Sequence, residues 1–298
     1  MLTPQKTKFE SALEYIKDAT PALYDRIVAM PHGYFADVCE LRLRAGGLAV
    51  IETLDRRIPV DVTVTGAHLT EIIKSFCGYS VYSHEKQLAE GFITLRGGHR
   101  AGFCGTAVYS NGRVTAIRDV SSINLRIAKE YLGCGEYVYE RLFTDGENAG
   151  GFTGLLIAGP PRSAKTTVLR DLCRSVGYEH RVALLDERGE VAACYAGTPE
   201  LSVGSNTDVL TGYNKSDGFL HALRSMSPEY VFCDEVAENE QLPAFADSGV
   251  IPVLTCHYRG SRDELVNSRR VHPATETCGI SHVLILSRAG VRGEIVTL

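Results

Sequence analysis

Residues 154–176, GLLIAGPPRSAKTTVLRDLCRSV, constrain this chain more than any other stretch. An apolar run, GLLIAG, gives way to a short loop, PPRSA, and KTTVLRDLCRSV follows with helical spacing of its apolar residues. Strand, tight loop and helix in that order form the repeating unit of parallel α/β sheets. The loop from Gly159 through Pro160, Pro161, Arg162, Ser163, Ala164, Lys165 and Thr166 to Thr167 resembles the phosphate-binding pattern G-x-x-x-x-G-K-[ST]. Backbone N–H groups at the start of such a helix face phosphate oxygens, and the helix dipole adds to the attraction. Lys165 is expected to reach the β- and γ-phosphates of ATP, and Thr166 to place its hydroxyl on Mg²⁺. Two glycines of the pattern are replaced: Ala164 stands where the second belongs, and Arg162 fills a position often taken by glycine. On the loop alone, an ordinary strand–turn–helix containing Lys-Thr would look the same.

The segments that follow narrow the choice. RVALLDE, EYVFCDE, GVIPVLTC and SHVLILS are short apolar runs separated by helix-length segments. Strands of that kind have both faces buried, as in a parallel sheet covered by helices. YVFCDE ends in Asp234 and Glu235. Asp234 is expected to hold Mg²⁺, a hard cation suited to carboxylates, and Glu235 to orient or deprotonate the attacking water. A solvated strand terminus is the alternative for two acids in that place. The intervening strand ends in Asp186, Glu187, Arg188 and Glu190, and VIPVLTCHYRG puts His257 at its strand end. The carboxyl ends of parallel strands line one crevice, so these groups are expected to face the same phosphates. His257 there could bond the γ-phosphate or Glu235.

Before this region the pattern is different. FESALEYIKDATPALYDRIVAM has helical spacing interrupted near Pro21, and a hairpin breaking at Gly46-Gly47 follows. A helix ending near Gly78 comes next, then strands joined by glycine and Asn-Gly turns. We therefore place an α+β N-terminal domain at 1–132, a glycine-rich linker at 133–151 and an α/β domain at 152–298. The 298 residues are enough for two domains. A net charge of -5 gives no overall basic field for nucleic acid or an anionic membrane. The nine cysteines occur without a Cys-x-x-Cys pair, which argues against a zinc ribbon and for buried thiols in a reducing compartment. No stretch approaches a membrane span, and MLTPQKTKFESALEYIKD lacks the apolar core of a signal peptide, so a cytoplasmic protein without direct membrane insertion is expected.

Over most of its length the sequence resembles the stage III sporulation protein AA family. The resemblance is carried by ELRLRAGG, GYSVYSHEKQLAEGFITLRGGHRAGFCG and SSINLRIAKE in the first half. In the second half it is carried by GPPRSAKTTVLRDLCR, LLDERGEVAAC, LTGYNKSDGFLHALRSMSPEYVFCDEV and LTCH. It implies a RecA-like P-loop ATPase domain preceded by a smaller α+β domain, as in the motors of type II and type IV secretion. It further implies a homo-oligomeric ring, a hexamer in those motors. The family acts on the mother-cell side of a sporulating cell, where it is thought to energise or assemble the channel complex to the forespore through a membrane-anchored component. DERGE matches the acidic box of the superfamily and His257 its histidine box. Arginines of the N-terminal domain often meet the γ-phosphate in such motors, and Arg100 in GGHRAG and Arg126 in NLRIAKE match family motifs. The loop departs from the family's Gly-Pro-Pro-Gly-x-Gly-Lys-Thr at Arg162 and Ala164, and TCHYRG departs from its Thr-Ala-His-Gly. A non-hydrolysing nucleotide-binding scaffold is therefore a rival function. A RecA-like nucleic-acid motor is another, although it would need a basic or aromatic strand-binding surface that the sequence does not display.

Overall fold

The computed structural model describes residues 7–31, 33, 35, 37–144, 151–237, 242, 245, 248–260, 272–287 and 292–298. The chain divides into two compact units, Met1–Lys129 and Glu130–Leu298.

The first unit contains α1 (Lys8–Lys17), α2 (Pro21–Val28), β1 (Val38–Arg44), β2 (Leu48–Thr53), β3 (Arg57–Thr63), α3 (Gly66–Phe76), α4 (Glu85–Ala89), β4 (Phe92–Thr94), β5 (Arg100–Ser110) and β6 (Arg113–Arg126). Pro21 opens α2, where its missing N–H costs nothing, and so divides the helical stretch in two. Thr7 caps α1 through a reciprocal bond with Glu10. The strands form an antiparallel sheet in the order β3-β2-β1-β6-β5-β4. One face carries Leu41, Leu43, Ile51, Ala101, Ile123 and Leu125, which pack with Phe9, Leu13, Ile16, Leu23, Leu69 and Phe76 of the helices into one core. Alternation along each strand sends polar side chains to the other face.

His99 is fully buried in this unit. Its Nδ1 accepts the Ala128 N–H at 3.2 Å, so the ring proton sits on Nε2, 3.2 Å from Ser11 Oγ. Burial first, and the nearby Lys8 charge second, push its pKa down from 6.5 to about 4. Between those values the unfolded chain takes up a proton that the native state refuses. Stability is therefore full above pH 6.5, falls as the pH drops, and the loss levels off below about pH 4. The full loss is on the order of 3 kcal/mol. Urea unfolding at pH 7 and pH 5 is expected to show this acid sensitivity in the parent and a shallower dependence in His99→Gln. Equal pH dependence in both proteins would remove His99 as its source.

The second unit contains α5 (Glu136–Leu142), β7 (Leu155–Gly159), α6 (Lys165–Glu179), β8 (Val182–Asp186), β9 (Thr207–Thr211), α7 (Lys215–Ser225), β10 (Tyr230–Cys233), β11 (Ile251–His257), α8 (Pro273–Thr277), β12 (His282–Ile285) and β13 (Glu294–Thr297). The sheet order is β13-β12-β7-β11-β10-β8-β9. All neighbours are parallel except β12 and β13, so the sheet is mixed at one edge rather than wholly parallel. Every residue of β7, β8 and β10 is buried. Leu155 and Ile157 enter one core and Leu156 and Ala158 the other, which is why these strands read as unbroken apolar runs. Two strands, β8 and β9, lie between the phosphate-type loop and β10 in sequence, where the apolar pattern indicates one; β9 is half exposed at the sheet edge and shows no apolar run. The glycine-rich stretch 133–151 contributes α5, whose Val138 and Leu142 join the core around α6. Residues 145–150 of that stretch lie outside the described residues.

Candidate nucleotide site

The parallel register brings the ends of four strands to one edge of the sheet. Gly159 pairs with His257, and Cys233 pairs with both Leu254 and Leu185, one residue before Asp186. Gly159 closes β7 where no side chain fits: a Cβ there would lie 2.6 Å from Ser163 Oγ and 2.7 Å from the Leu286 carbonyl oxygen. The loop then turns through two residues with positive φ, Arg162 at 66° and Ala164 at 65°. These are the two positions where the pattern favours glycine, and the backbone keeps the left-handed conformation with a Cβ present. That conformation costs a non-glycine residue roughly 1–2 kcal/mol.

The strain lies in the loop's own backbone, so its cost is carried by the folded state. Arg162→Gly and Ala164→Gly are each expected to raise stability by about 1 kcal/mol, or roughly 2–4 °C in Tm. Affinity should change little. A large gain in affinity without a rise in Tm would place the strain in the bound state instead.

The lining suits an anion. The first N–H groups of α6 have no partner within the helix. Ser163 is buried, and its Oγ has no hydrogen-bond partner among the described residues. Lys165 is buried too, and burial lowers its pKa against the opposing pull of Asp234. Its ammonium donates to the carbonyls of Gly159 and Pro160, both at 3.0 Å, and meets His257 Nδ1 at 3.3 Å. An ammonium has only protons to give, so Nδ1 accepts and the ring proton sits on Nε2. From there it faces Glu235 Oε1 at 3.2 Å. Arg188 Nη1 donates to the other oxygen, Glu235 Oε2, at 2.7 Å. Glu235 itself has φ of 51°, an uncommon value outside glycine.

Asp234 sits beside the helix start. Thr166 Oγ1 donates to its Oδ2 at 2.7 Å, and Thr255 Oγ1 to its Oδ1 at 2.6 Å. Thr255 is fully buried and also accepts the Glu235 N–H at 2.8 Å, so one hydroxyl orients both acids. Its residue type gave no signal in the sequence beyond its place in LTCH. A hydroxyl and a carboxylate in contact are suitable ligands for Mg²⁺, which takes its remaining oxygens from phosphate and water. Among the described residues no group of three or more His, Cys, Asp or Glu is arranged to hold a metal ion without such help.

The acids after β8 divide in a way the strand-end rule does not anticipate. Asp186 is buried and its carboxylate is taken up by its own turn, although it lines a small cavity with Arg188, Lys215, Asp234 and Glu235. Its carboxylate accepts the N–H groups of Glu190 at 2.9 Å, Val191 at 3.1 Å and Ala192 at 2.8 Å. Burial pushes its pKa up and those three donors pull it back. Arg170 on α6 braces the same turn by donating to the Val191 and Glu190 carbonyls. Glu187 is exposed and bonded to Lys215 at 2.9 Å. The Tyr258 N–H, in the segment that departs from the family pattern, donates to the Gly159 carbonyl at 3.1 Å and ties β11 to the loop.

Arg100 and Arg126 belong to the first unit. They are cross-strand neighbours on β5 and β6. Arg100 lies 3.8 Å over the Phe92 ring, and Arg126 Nε is 3.4 Å from Glu40 Oε1.

The model for the family described as sporulation stage III, protein AA matches residues 16–298. The stage III sporulation protein AA of Bacillus subtilis (strain 168) is 33% identical over 279 residues, covering 89% of this chain and 88% of that protein. Among solved structures, the pilus retraction motor PilT with bound ADP aligns with a TM-score of 0.52 at 14% identity, over 92% of this chain and 77% of that one. The Legionella pneumophila ATPase DotB aligns at 0.50 and 15% identity, over 89% and 75%. These two likenesses establish the fold, a RecA-like α/β unit with a separate antiparallel-sheet unit.

Proposed function

The chain belongs to the sporulation stage III, protein AA family, and from that premise we propose that it binds ATP with Mg²⁺ and hydrolyses it as a secretion-type motor. The work done is to energise or assemble the channel complex between mother cell and forespore. The observation that carries this is the Thr166–Asp234 contact at 2.7 Å, at the start of a helix that opens on a buried lysine and follows the buried Ser163 hydroxyl. Lys165 and the α6 N–H groups bind the phosphates, with Ser163 as a further donor. Thr166 and Asp234 would hold Mg²⁺, which would supply positive charge beside the phosphates. Glu235 orients the attacking water and takes its proton, with His257 steering the carboxylate. Glu187 is the reserve base, and Arg100 and Arg126 are the arginines that a neighbouring copy in the ring offers to the terminal phosphate.

The protein acts as a ring of its own copies, a hexamer, on the cytoplasmic mother-cell side, joined to the membrane through a membrane-anchored component. Among the described residues no helix is long and apolar enough to cross a membrane. ATP turnover by the full chain and its solution mass with a non-hydrolysable ATP analogue test this together. Turnover that falls in Glu235→Gln while nucleotide stays bound, with the mass of a ring, is the expected result. A strict monomer at every concentration counts against a motor. An unchanged rate in Glu235→Gln passes the role of base to Glu187.

A second function, a nucleotide-binding scaffold that does not hydrolyse, is favoured by one observation. Both Glu235 oxygens are engaged, by Arg188 and His257. Tight MgATP binding with no turnover would select it.

A further inference from the structure

Arg188 stands on the turn after β8 that the buried Asp186 carboxylate organises. Its guanidinium is 65% exposed, and it reaches across to Glu235, which is 33% exposed. An ion pair so open to water is worth little, so this side chain is easily drawn elsewhere. On the other side of Glu235 lies His257, and beyond His257 lies Lys165. The four form a chain of contacts, Lys165–His257–Glu235–Arg188, with a basic side chain at each end and the carboxylate inside.

A phosphate seated on Lys165 is one imidazole ring away from Glu235. Extending the phosphate chain by one member brings negative charge toward the Glu235 carboxylate, where like charges repel. The same extension brings a phosphate toward the Arg188 guanidinium, whose planar fork can bind two of its oxygens at once. A terminal phosphate carries more charge than a carboxylate and more acceptor oxygens, so it is the better partner.

We propose that Arg188 reads the third phosphate of the nucleotide. With a diphosphate or no ligand it stays on Glu235. With a triphosphate it transfers to the terminal phosphate and leaves that Glu235 oxygen free. The availability of Glu235 is thereby tied to the ligand that needs it. This rests on the nucleotide function proposed above.

Equilibrium binding of ADP and of a β,γ-imido ATP analogue to the full chain with Mg²⁺ tests it. The parent is expected to prefer the triphosphate. Arg188→Ala should lose about tenfold in affinity for the triphosphate analogue and less than about twofold for ADP. Arg188→Lys, which keeps the charge but not the fork, should fall between them. Glu235→Gln removes the competing carboxylate and should tighten triphosphate binding. Equal losses for both nucleotides in Arg188→Ala, or no loss for either, would overturn the role of Arg188. If at the same time the parent binds both and Lys165→Ala binds neither, the nucleotide site itself stands. A parent that binds neither nucleotide overturns both proposals.

Discussion

Lys165→Ala is expected to abolish nucleotide binding, with a loss of more than about a hundredfold in affinity for both ATP and ADP. Truncating one partner of a buried charge pair costs roughly 2–5 kcal/mol, and each 1.4 kcal/mol is about a factor of ten. Lys165 is buried, and among the described residues its hydrogen bonds run to two loop carbonyls and His257 Nδ1. None of the three is an anion, and a phosphate bound there would form the buried charge pair that the substitution truncates. The substitution should not unfold the protein, because burial already disfavours the charged lysine, as its lowered pKa records. Calorimetric titration with MgATP, with a thermal melt to confirm folding, checks this. A folded Lys165→Ala protein that binds ATP as the parent does would show that the loop is not a nucleotide site.

The second large effect is on stability. Asp186→Ala is expected to cost about 3–5 kcal/mol, because it leaves buried donors without an acceptor. Three backbone N–H groups converge on that carboxylate, and the neighbouring Arg170 is held by carbonyls of the same turn and draws on the Asp186 charge. A loss of that size corresponds to a fall in Tm of roughly 10 °C for a unit of this length. Asp186→Asn keeps one acceptor oxygen and should recover part of it. If denaturant unfolding shows Asp186→Ala within about 1 kcal/mol of the parent, the turn is held by something other than this carboxylate. The outcome also separates the two adjacent acids. Glu187, exposed and paired with Lys215, should cost little to replace.

Much of the second unit was legible in the sequence because local pattern and tertiary environment agree there. A strand buried on both faces must be apolar throughout, so β7, β8, β10 and β11 announce themselves as runs. The edge strand β9 and the antiparallel β13 were not legible, since half-exposed strands carry a mixed composition that many loops share. In the first unit, Pro21 and the glycines at 46 and 47 mark breaks by restricting or freeing φ, which is a local effect and therefore visible. The family was legible as well, from long stretches in both halves.

The sequence by itself determined the strand–loop–helix unit, the residues at the carboxyl ends of its strands, and the two loop positions where glycine is missing. Tertiary structure decided what those residues do to one another. It turned Asp186 inward onto three backbone donors, gave Glu187 to Lys215, and linked Lys165 to Glu235 through His257. It also enlisted Thr255 as the hydroxyl between Asp234 and Glu235, and set Arg188 on the carboxylate that sequence had assigned to water. The physical reason is range. Backbone conformation and burial pattern are set by neighbours along the chain. A hydrogen bond between side chains some twenty to ninety residues apart depends on strand register and on which way each turn closes, and a single sequence does not specify either.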